Sequence, residues 1–365
     1  MYASRLVEAI RARHPGDAEF FGCAGPRMQA AGVRAVVDSR SIAVLGLVEV
    51  IAHLPRIYGE FRKLKKAVIA QRPDVAILTD APDFNLRLAK FLRRQRVPVV
   101  YLIAPQAWAW RQGRVKTLRA TVDRLLCIFP FEEEFFTRHG VPATYIGHPL
   151  SGIVKASLTR EQFCAKFGLP AGKKIVVLLP GSRPGEIERH LNDLLDATNR
   201  LKGRDLVFLL ALPGGISNTF SERIRGASIQ VIVDATWDAL AHAELALAAS
   251  GTVTIEAALL GRPLVTFYKV NALSWIVGRR LVRAPFLSMV NLVAGRKIAP
   301  ELIQGEMTGE KIAAEAIRLL DDGSAMVAMR AGLAEVAAKL ASAGDPIQIA
   351  AGWVEKVVHE KVSRS

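Results

Sequence analysis

The chain has 365 residues, 51% of them hydrophobic, with 49 Lys+Arg against 34 Asp+Glu and a formal net charge of +15. That length and apolar content exclude an intrinsically disordered chain and supply more than one hydrophobic core. No apolar run reaches the ~18–20 residues that cross a bilayer as a helix, and three scattered cysteines, Cys23, Cys127 and Cys164, give neither a disulfide framework nor a metal spacing, as in a reduced cytoplasm.

The positive charge is uneven. Residues 1–150 hold 23 basic and 13 acidic side chains, which suits acidic partners such as phosphorylated substrates, nucleic acid or an anionic membrane. The segment "SIAVLGLVEV" is more apolar than a surface loop, with Leu45, Leu47 and Val48 at its centre. The helix predicted after it aligns Leu54, Ile57, Phe61, Leu64 and Val68, flanked by Arg62, Lys63, Lys65 and Lys66. An apolar patch with a basic collar describes an interfacial membrane contact. A helix packed on a sheet, with a solvated basic face, accounts for the stripe as well.

"PDVAILTD" reads as a short apolar strand that ends at a pair of carboxylates, Asp80 and Asp83. Asp83 precedes "FNLRLAKFL" and is placed to cap that helix. Pro82 discourages a helix start before it, so Asp80 is left on the loop, where a general base and a solvated or Arg-paired carboxylate both fit. "VPVVYLIAP" is the next strand. The segment after it carries Trp108, Trp110, Arg111 and Arg114, either as the wall of an acceptor site with cations for a phosphate, or as core tryptophans beside a basic helix. "DRLLCIF" and "VPATYIGH" continue the alternation, and His148 ends the last strand, where interdomain packing and a ligand role are equally open.

Residues after His148, "PLSGIVKASLTREQFCAKFGLPAGKK", are polar and strand-free and read as a linker. The rhythm then restarts with "IVVLLPGSR", "DLVFLLALPG", "IQVIVD", "ELALAASGT" and "PLVTFYKV", five apolar strands separated by helical patterns. From about Met307 the chain is helix-rich. Continuous apolar strands alternating with amphipathic helices indicate parallel sheets covered on both faces. The expectation is an α/β fold of two tandem, doubly wound Rossmann-like domains, residues 1–150 and 151–320, then a helical segment, 321–365. Ligands are expected beyond the carboxyl ends of the strands, in a cleft.

Two strand ends of the second domain suit anions. In "LLPGSRPGEIERHL" a strand runs through a glycine loop into a helix; Gly181 permits close approach, and Ser182 and Arg183 add a hydroxyl and a planar cation. The spacing is not that of a nucleotide P-loop, and a tight turn with an exposed arginine is the alternative. In "ELALAASGTVTIEAALLGRPLV", Ser250, Gly251 and Thr252 open a helix whose first N–H groups attract anions. Glu256, one turn on, reaches a ribose diol or is an ordinary polar helix position. The seven histidines show no metal spacing.

Taken in order, "GCAGPRMQAAG", "SIAVLGLVEV", "TDAPDFN", "APQAWAWRQGRV", "FPFEEEFF", "YIGHPL", "LLPGSRPGEI", "ASGTVTIEAALLGRPLV" and "LSMVNLVAGR" resemble the lipid A disaccharide synthase family over nearly the whole chain. The resemblance implies a GT-B fold and an inverting glycosyltransferase of lipopolysaccharide synthesis at the inner membrane of Gram-negative bacteria. Such an enzyme joins UDP-2,3-diacylglucosamine to 2,3-diacylglucosamine 1-phosphate (lipid X), releasing UDP and using no metal or cofactor. It implies Asp80 as the base for the acceptor hydroxyl. Gly181, Ser182, Arg183, Ser250, Gly251, Thr252, Glu256 and Asn291 fall to the UDP moiety, and Asp83, Asn85, Trp108, Trp110, Arg111 and His148 to the acceptor or cleft. It also implies a homodimer exchanging C-terminal segments. Members of the family begin with a strand and a "GExSGD"-type loop, whereas this chain starts inside the following helix. The first strand is therefore expected to be missing, leaving exposed edges. A UDP-sugar 2-epimerase and an inactive truncated relic are the rival readings. Nucleic-acid binding is disfavoured because the basic residues lie on helices with no aromatic platform between them.

Overall fold

The computed structural model describes residues 1–42, 47–170, 172–282 and 284–363. The chain forms two compact units, Met1–Pro149 with Ser342–Ser365, and Leu150–Ala341.

The first unit holds two parallel sheets. β1 (Phe21–Ala24) pairs with β2 (Arg34–Asp38), and β3 (Ala76–Thr79), β4 (Val99–Leu102), β5 (Arg124–Cys127) and β6 (Ala143–Tyr145) pair in sequence order. The four-stranded sheet follows from its apolar runs: every residue of β4 is buried, and Leu78, Tyr101, Leu125 and Phe136 pack in one core. β1 and β2 escape a pattern reading because they are short and mostly half-buried or exposed. The helix Leu47–Gln71 puts Leu64 and Val68 into the core that Val37 of β2 shares with Leu78 of β3, so one helix supports both sheets.

The second unit is a six-stranded parallel sheet of β7 (Lys174–Leu179), β8 (Leu206–Leu212), β9 (Ile229–Val233), β10 (Leu245–Ala249), β11 (Leu264–Tyr268) and β12 (Glu301–Ile303). Its order is β12-β11-β10-β7-β8-β9. The winding reverses between β7 and β10, which pair directly, Leu178 opposite Leu247 and Leu179 opposite Ala248. Ligands of doubly wound sheets bind at such a switch point, and the two anion-suited loops leave these two strands.

The expected linker is not a free tether. From Leu150 it belongs to the second unit, where Asp238 accepts the Ser157 and Leu158 backbone N–H groups at 2.7 and 2.9 Å and the Ser157 hydroxyl at 2.7 Å. The helix Arg160–Phe167 follows, started by a reciprocal Thr159–Gln162 cap. The C-terminal segment divides: the helix Gly323–Leu340 stays with the second unit, while Pro346–Val362, capped by Asp345, returns to the first. There it packs on the helix Tyr2–Arg13, with Arg13 bonded to Glu355 at 2.8 Å.

Candidate active site

The strand end of the first unit is strained. Asp80 and Ala81 both have positive φ, 57° and 37°, a region that L-residues other than Gly, Asn and Asp rarely occupy. The Asp80 carboxylate is exposed, and its Oδ1 accepts the Ala81 N–H at 2.8 Å. The Asp80 carbonyl accepts from the Tyr101 hydroxyl at 2.7 Å and from Asn85 Nδ2 at 2.8 Å, and Asn85 Nδ2 also donates to the Thr79 carbonyl at 2.8 Å. Asn85, assigned to the acceptor by resemblance, thus holds the backbone of this turn.

Asp83 is not the helix cap. The turn at Asp80 and Ala81 makes Ala81 the N-cap and Pro82 the first residue of the helix Pro82–Arg94, with no side-chain cap. Asp83 instead receives Arg111 at 3.0 Å and Arg114 at 2.8 Å, and both guanidinium groups lie over the Trp110 ring, 4.7 and 4.8 Å from its centroid. Burial pushes the Asp83 carboxyl up, but Arg114 and Arg111 more than offset this and hold it below its ordinary value. Arg114 is nearly buried, whereas Arg111 is about half exposed.

The two tryptophans divide. Trp108 packs on the core, edge-on to Phe131, and its Nε1 donates to Glu132 at 3.0 Å. Glu132, which the sequence reading passed over inside "FPFEEEFF", is buried and also accepts the Ile128 and Phe129 N–H groups, both at 3.2 Å. Burial pushes its carboxyl up to about 7 against these three donors. His148 is buried beside the Phe129 ring, and burial pushes its imidazole down to about 4, so it is neutral at pH 7.

In the second unit, Gly181 has φ 129°, and a Cβ there would lie 2.9 Å from Glu186, so only glycine fits this turn. Glu186, in the first turn of the helix Pro184–Arg200, accepts the Ser182 N–H at 3.3 Å and lies 3.6 Å from Arg183, whose guanidinium is exposed. Buried His190 ties the loop to β11. Its Nδ1 lies 2.6 Å from the Pro180 carbonyl and its Nε2 3.1 Å from the Lys269 N–H. The Pro180 carbonyl calls for a proton on Nδ1, while Nε2 also lies 3.2 Å from the Lys269 carbonyl and so faces both a donor and an acceptor. Burial depresses its pKa, consistent with the neutral ring. No pattern around "ERHL" signals this role.

From β10, Ser250 donates its hydroxyl to the Leu287 carbonyl at 3.0 Å. Gly251 is the N-cap of the helix Thr252–Leu259, which has neither a side-chain cap nor an acid in its first turn, leaving first-turn N–H groups without an internal anion. Glu256, half-buried, accepts from Trp237 Nε1 at 3.1 Å, and burial raises its carboxyl. Asn291, expected at the UDP moiety, lies inside the second unit. It is fully buried, its Nδ2 donates to the Ala299 carbonyl and to Glu301, and its Oδ1 accepts the Ile298 and Ala299 N–H groups. It staples residues 298–301 to its own helix.

Among the described residues there is no cluster of His, Cys, Asp and Glu that could hold a metal, and no helix long and apolar enough to cross a membrane. Of the segment expected to touch a membrane, Leu45 lies outside the described residues, as do the side chains of Leu47 and Val48. Arg62 and Lys66 are exposed, Lys63 pairs with Glu60 at 3.0 Å, and the Lys65 ammonium sits 4.7 Å from the Phe91 ring centroid.

A family profile described as Lipid-A-disaccharide synthetase matches residues 1–342. The chain belongs to the lipid-A-disaccharide synthetase family. It is 59% identical to the lipid-A-disaccharide synthase of Solibacter usitatus over 344 residues, covering 93% of this chain and 90% of that protein. It is 42% identical to the synthase of Acidobacterium capsulatum over 383 residues, covering 100% and 94%. Among solved structures it resembles the UDP-GlcNAc 2-epimerase of Neisseria meningitidis, with a TM-score of 0.61 at 12% identity and coverage of 98% and 96%. It also resembles a glycosyltransferase from Rickettsia africae, with a TM-score of 0.59 at 10% identity and coverage of 100% and 95%. These likenesses show the fold, two Rossmann-like units of the GT-B type, which epimerases and glycosyltransferases share. Membership of the synthetase family rests on sequence.

Proposed function

We propose that this synthetase-family chain transfers a 2,3-diacylglucosamine unit from UDP to the 6-hydroxyl of lipid X, with inversion. The observation that carries the reading is the match of a single family over residues 1–342, in a chain whose Asp80 carboxylate is exposed at a strand end and, among the described residues, accepts the next residue's N–H. In this reading Asp80 takes the proton from the acceptor hydroxyl. The oxygen attacks the anomeric carbon from the face opposite the diphosphate, and the carbon–oxygen bond to UDP breaks with both electrons leaving on the phosphate. General-base help of this kind is worth about 10²–10⁴-fold. Stabilising the leaving diphosphate is the larger electrostatic task. It falls to Arg183, the Gly181–Ser182 backbone and the open first turn after Gly251, with Glu256 on the ribose. Half-exposed Arg111 supplies a cation for the lipid X phosphate.

The same proposal places the protein in the cytoplasm, on the anionic face of the inner membrane. Leu54, Tyr58 and Ile69 are 48, 64 and 55% exposed at spacings that share a helix face with Arg62 and Lys66. The homodimer with exchanged C-terminal segments belongs to the proposal too, and sedimentation equilibrium tests it. The deciding experiment is turnover of UDP-2,3-diacylglucosamine with and without lipid X. Disaccharide and UDP, formed only with lipid X, are expected. An epimerised UDP-sugar formed without acceptor overturns the reading, as does no product at all.

A further inference from the structure

We infer that Tyr101 and Asn85 are positioning residues that hold the proposed general base, Asp80, in its left-handed turn; this rests on reading Asp80 as the base. Side chains alternate along a strand. Continuing the pleat of β3, Asp80 would share the face of Leu78, which is 5% exposed and belongs to the core. The positive φ at Asp80 and Ala81 breaks the alternation, and the carboxylate is exposed instead. Aspartate tolerates that conformation, but alanine, with a Cβ and no polar group to bond locally, does not. Such a turn persists only where the surroundings over-determine it.

The surroundings are three hydrogen bonds on two consecutive carbonyls. Tyr101 comes from the neighbouring strand, where its register partner is Leu78. It is fully buried, and its hydroxyl reaches the Asp80 carbonyl at 2.7 Å. Asn85, in the first turn of the next helix, bridges the Thr79 and Asp80 carbonyls with one amide nitrogen. The two donors tie the turn to the sheet on one side and to the helix on the other, and neither bonds the carboxylate itself. Loss of either frees the backbone to rotate toward the extended form, carrying the carboxylate off the acceptor hydroxyl without touching the donor loops of the second unit.

The test is a double-mutant cycle on single-turnover rates of disaccharide formation, with UDP affinity measured on every variant. Tyr101→Phe keeps the buried ring and removes only the hydroxyl, so it preserves the fold. It is expected to slow transfer by about 10–100-fold, the scale of a misplaced catalytic group, with KM for the UDP-sugar and UDP affinity unchanged. Asn85→Ala is expected to do the same. In the Asp80→Asn background, which has no base left to position, Tyr101→Phe is expected to cost nothing further. A Tyr101→Phe loss that multiplies with Asp80→Asn, or no loss in the wild-type background, overturns the positioning role and leaves the base intact. Wild-type turnover by Asp80→Asn itself overturns the base assignment instead.

Discussion

Glu132 and His148 flank Phe129 and should tilt the stability of the first unit in opposite directions as pH changes. Glu132 is raised from 4.5 to about 7, so between those values the native state holds a proton that the unfolded state has released, and stability falls as pH rises. His148 is lowered from 6.5 to about 4, so in its window the unfolded state holds the extra proton, and stability falls as pH drops. Each slope is about 1.4 kcal/mol per pH unit, and between pH 4.5 and 6.5 they cancel. Removing one side chain exposes the other. Relative to wild type, Glu132→Gln should lose about 2 kcal/mol on going from pH 6.5 to 4.5, because each group is half-titrated near one end of that window, and His148→Gln should gain about as much.

Opening free energies from hydrogen exchange of the β4 and β5 amides read the first unit alone, and subtracting the wild-type curve cancels the other titrating groups. Curves that stay parallel to wild type within about 0.5 kcal/mol over the window, well under the expected tilt, would refute the reasoning. So would two variants tilting the same way.

Arg183→Ala should weaken UDP-sugar binding and slow transfer, because the diphosphate loses a charge-assisted partner; unchanged kinetics at sub-saturating donor remove Arg183 from the site. Glu256→Gln keeps an acceptor for Trp237 but loses the charge, and should weaken UDP in a calorimetric titration while lipid X binds as before; loss of both ligands points to a collapsed helix. Vesicle sedimentation should drop with salt as the Arg62, Lys63, Lys65 and Lys66 contribution, about 1 kcal/mol per cation, is screened. A residual, salt-insensitive part should fall in Leu54→Ser/Tyr58→Ser; undiminished high-salt binding by that variant moves the contact elsewhere.

Much of the architecture was legible because it rests on continuous apolar strands. β4, β5, β7, β8, β10 and β11 carry the mostly buried apolar runs that a covered parallel strand requires. β1, β2 and β12 are three to five residues long and only partly buried, so their sequences carry little apolar pattern. The glycine loop was legible for a similar local reason: Gly181 sits where a Cβ would strike Glu186, and a glycine between a strand and a helix announces such a turn.

The chemistry at the end of β3 was legible in residue type and not in geometry. Two carboxylates after an apolar run mark a loop, and a helix following Asp83 makes capping the economical guess. The cap moved because Asp80 and Ala81 turn left-handed, and nothing in "TDAPDFN" encodes the sign of φ at an alanine. The turn is held by contacts that residue type alone does not reveal, from Asn85 within the segment and from Tyr101, 21 residues from Asp80. Once the turn is made, Pro82 becomes the first helical residue and Asp83 the second, so its carboxylate lies beside the helix start, within reach of Arg111 and Arg114. The two aspartates then differ by construction. Asp83 is bound by two guanidinium groups and held ionised, a poor proton acceptor. Asp80 has no cation on its carboxylate among the described contacts and stands exposed. Of the pair, Asp80 is therefore the carboxylate to which the proposed mechanism assigns the proton.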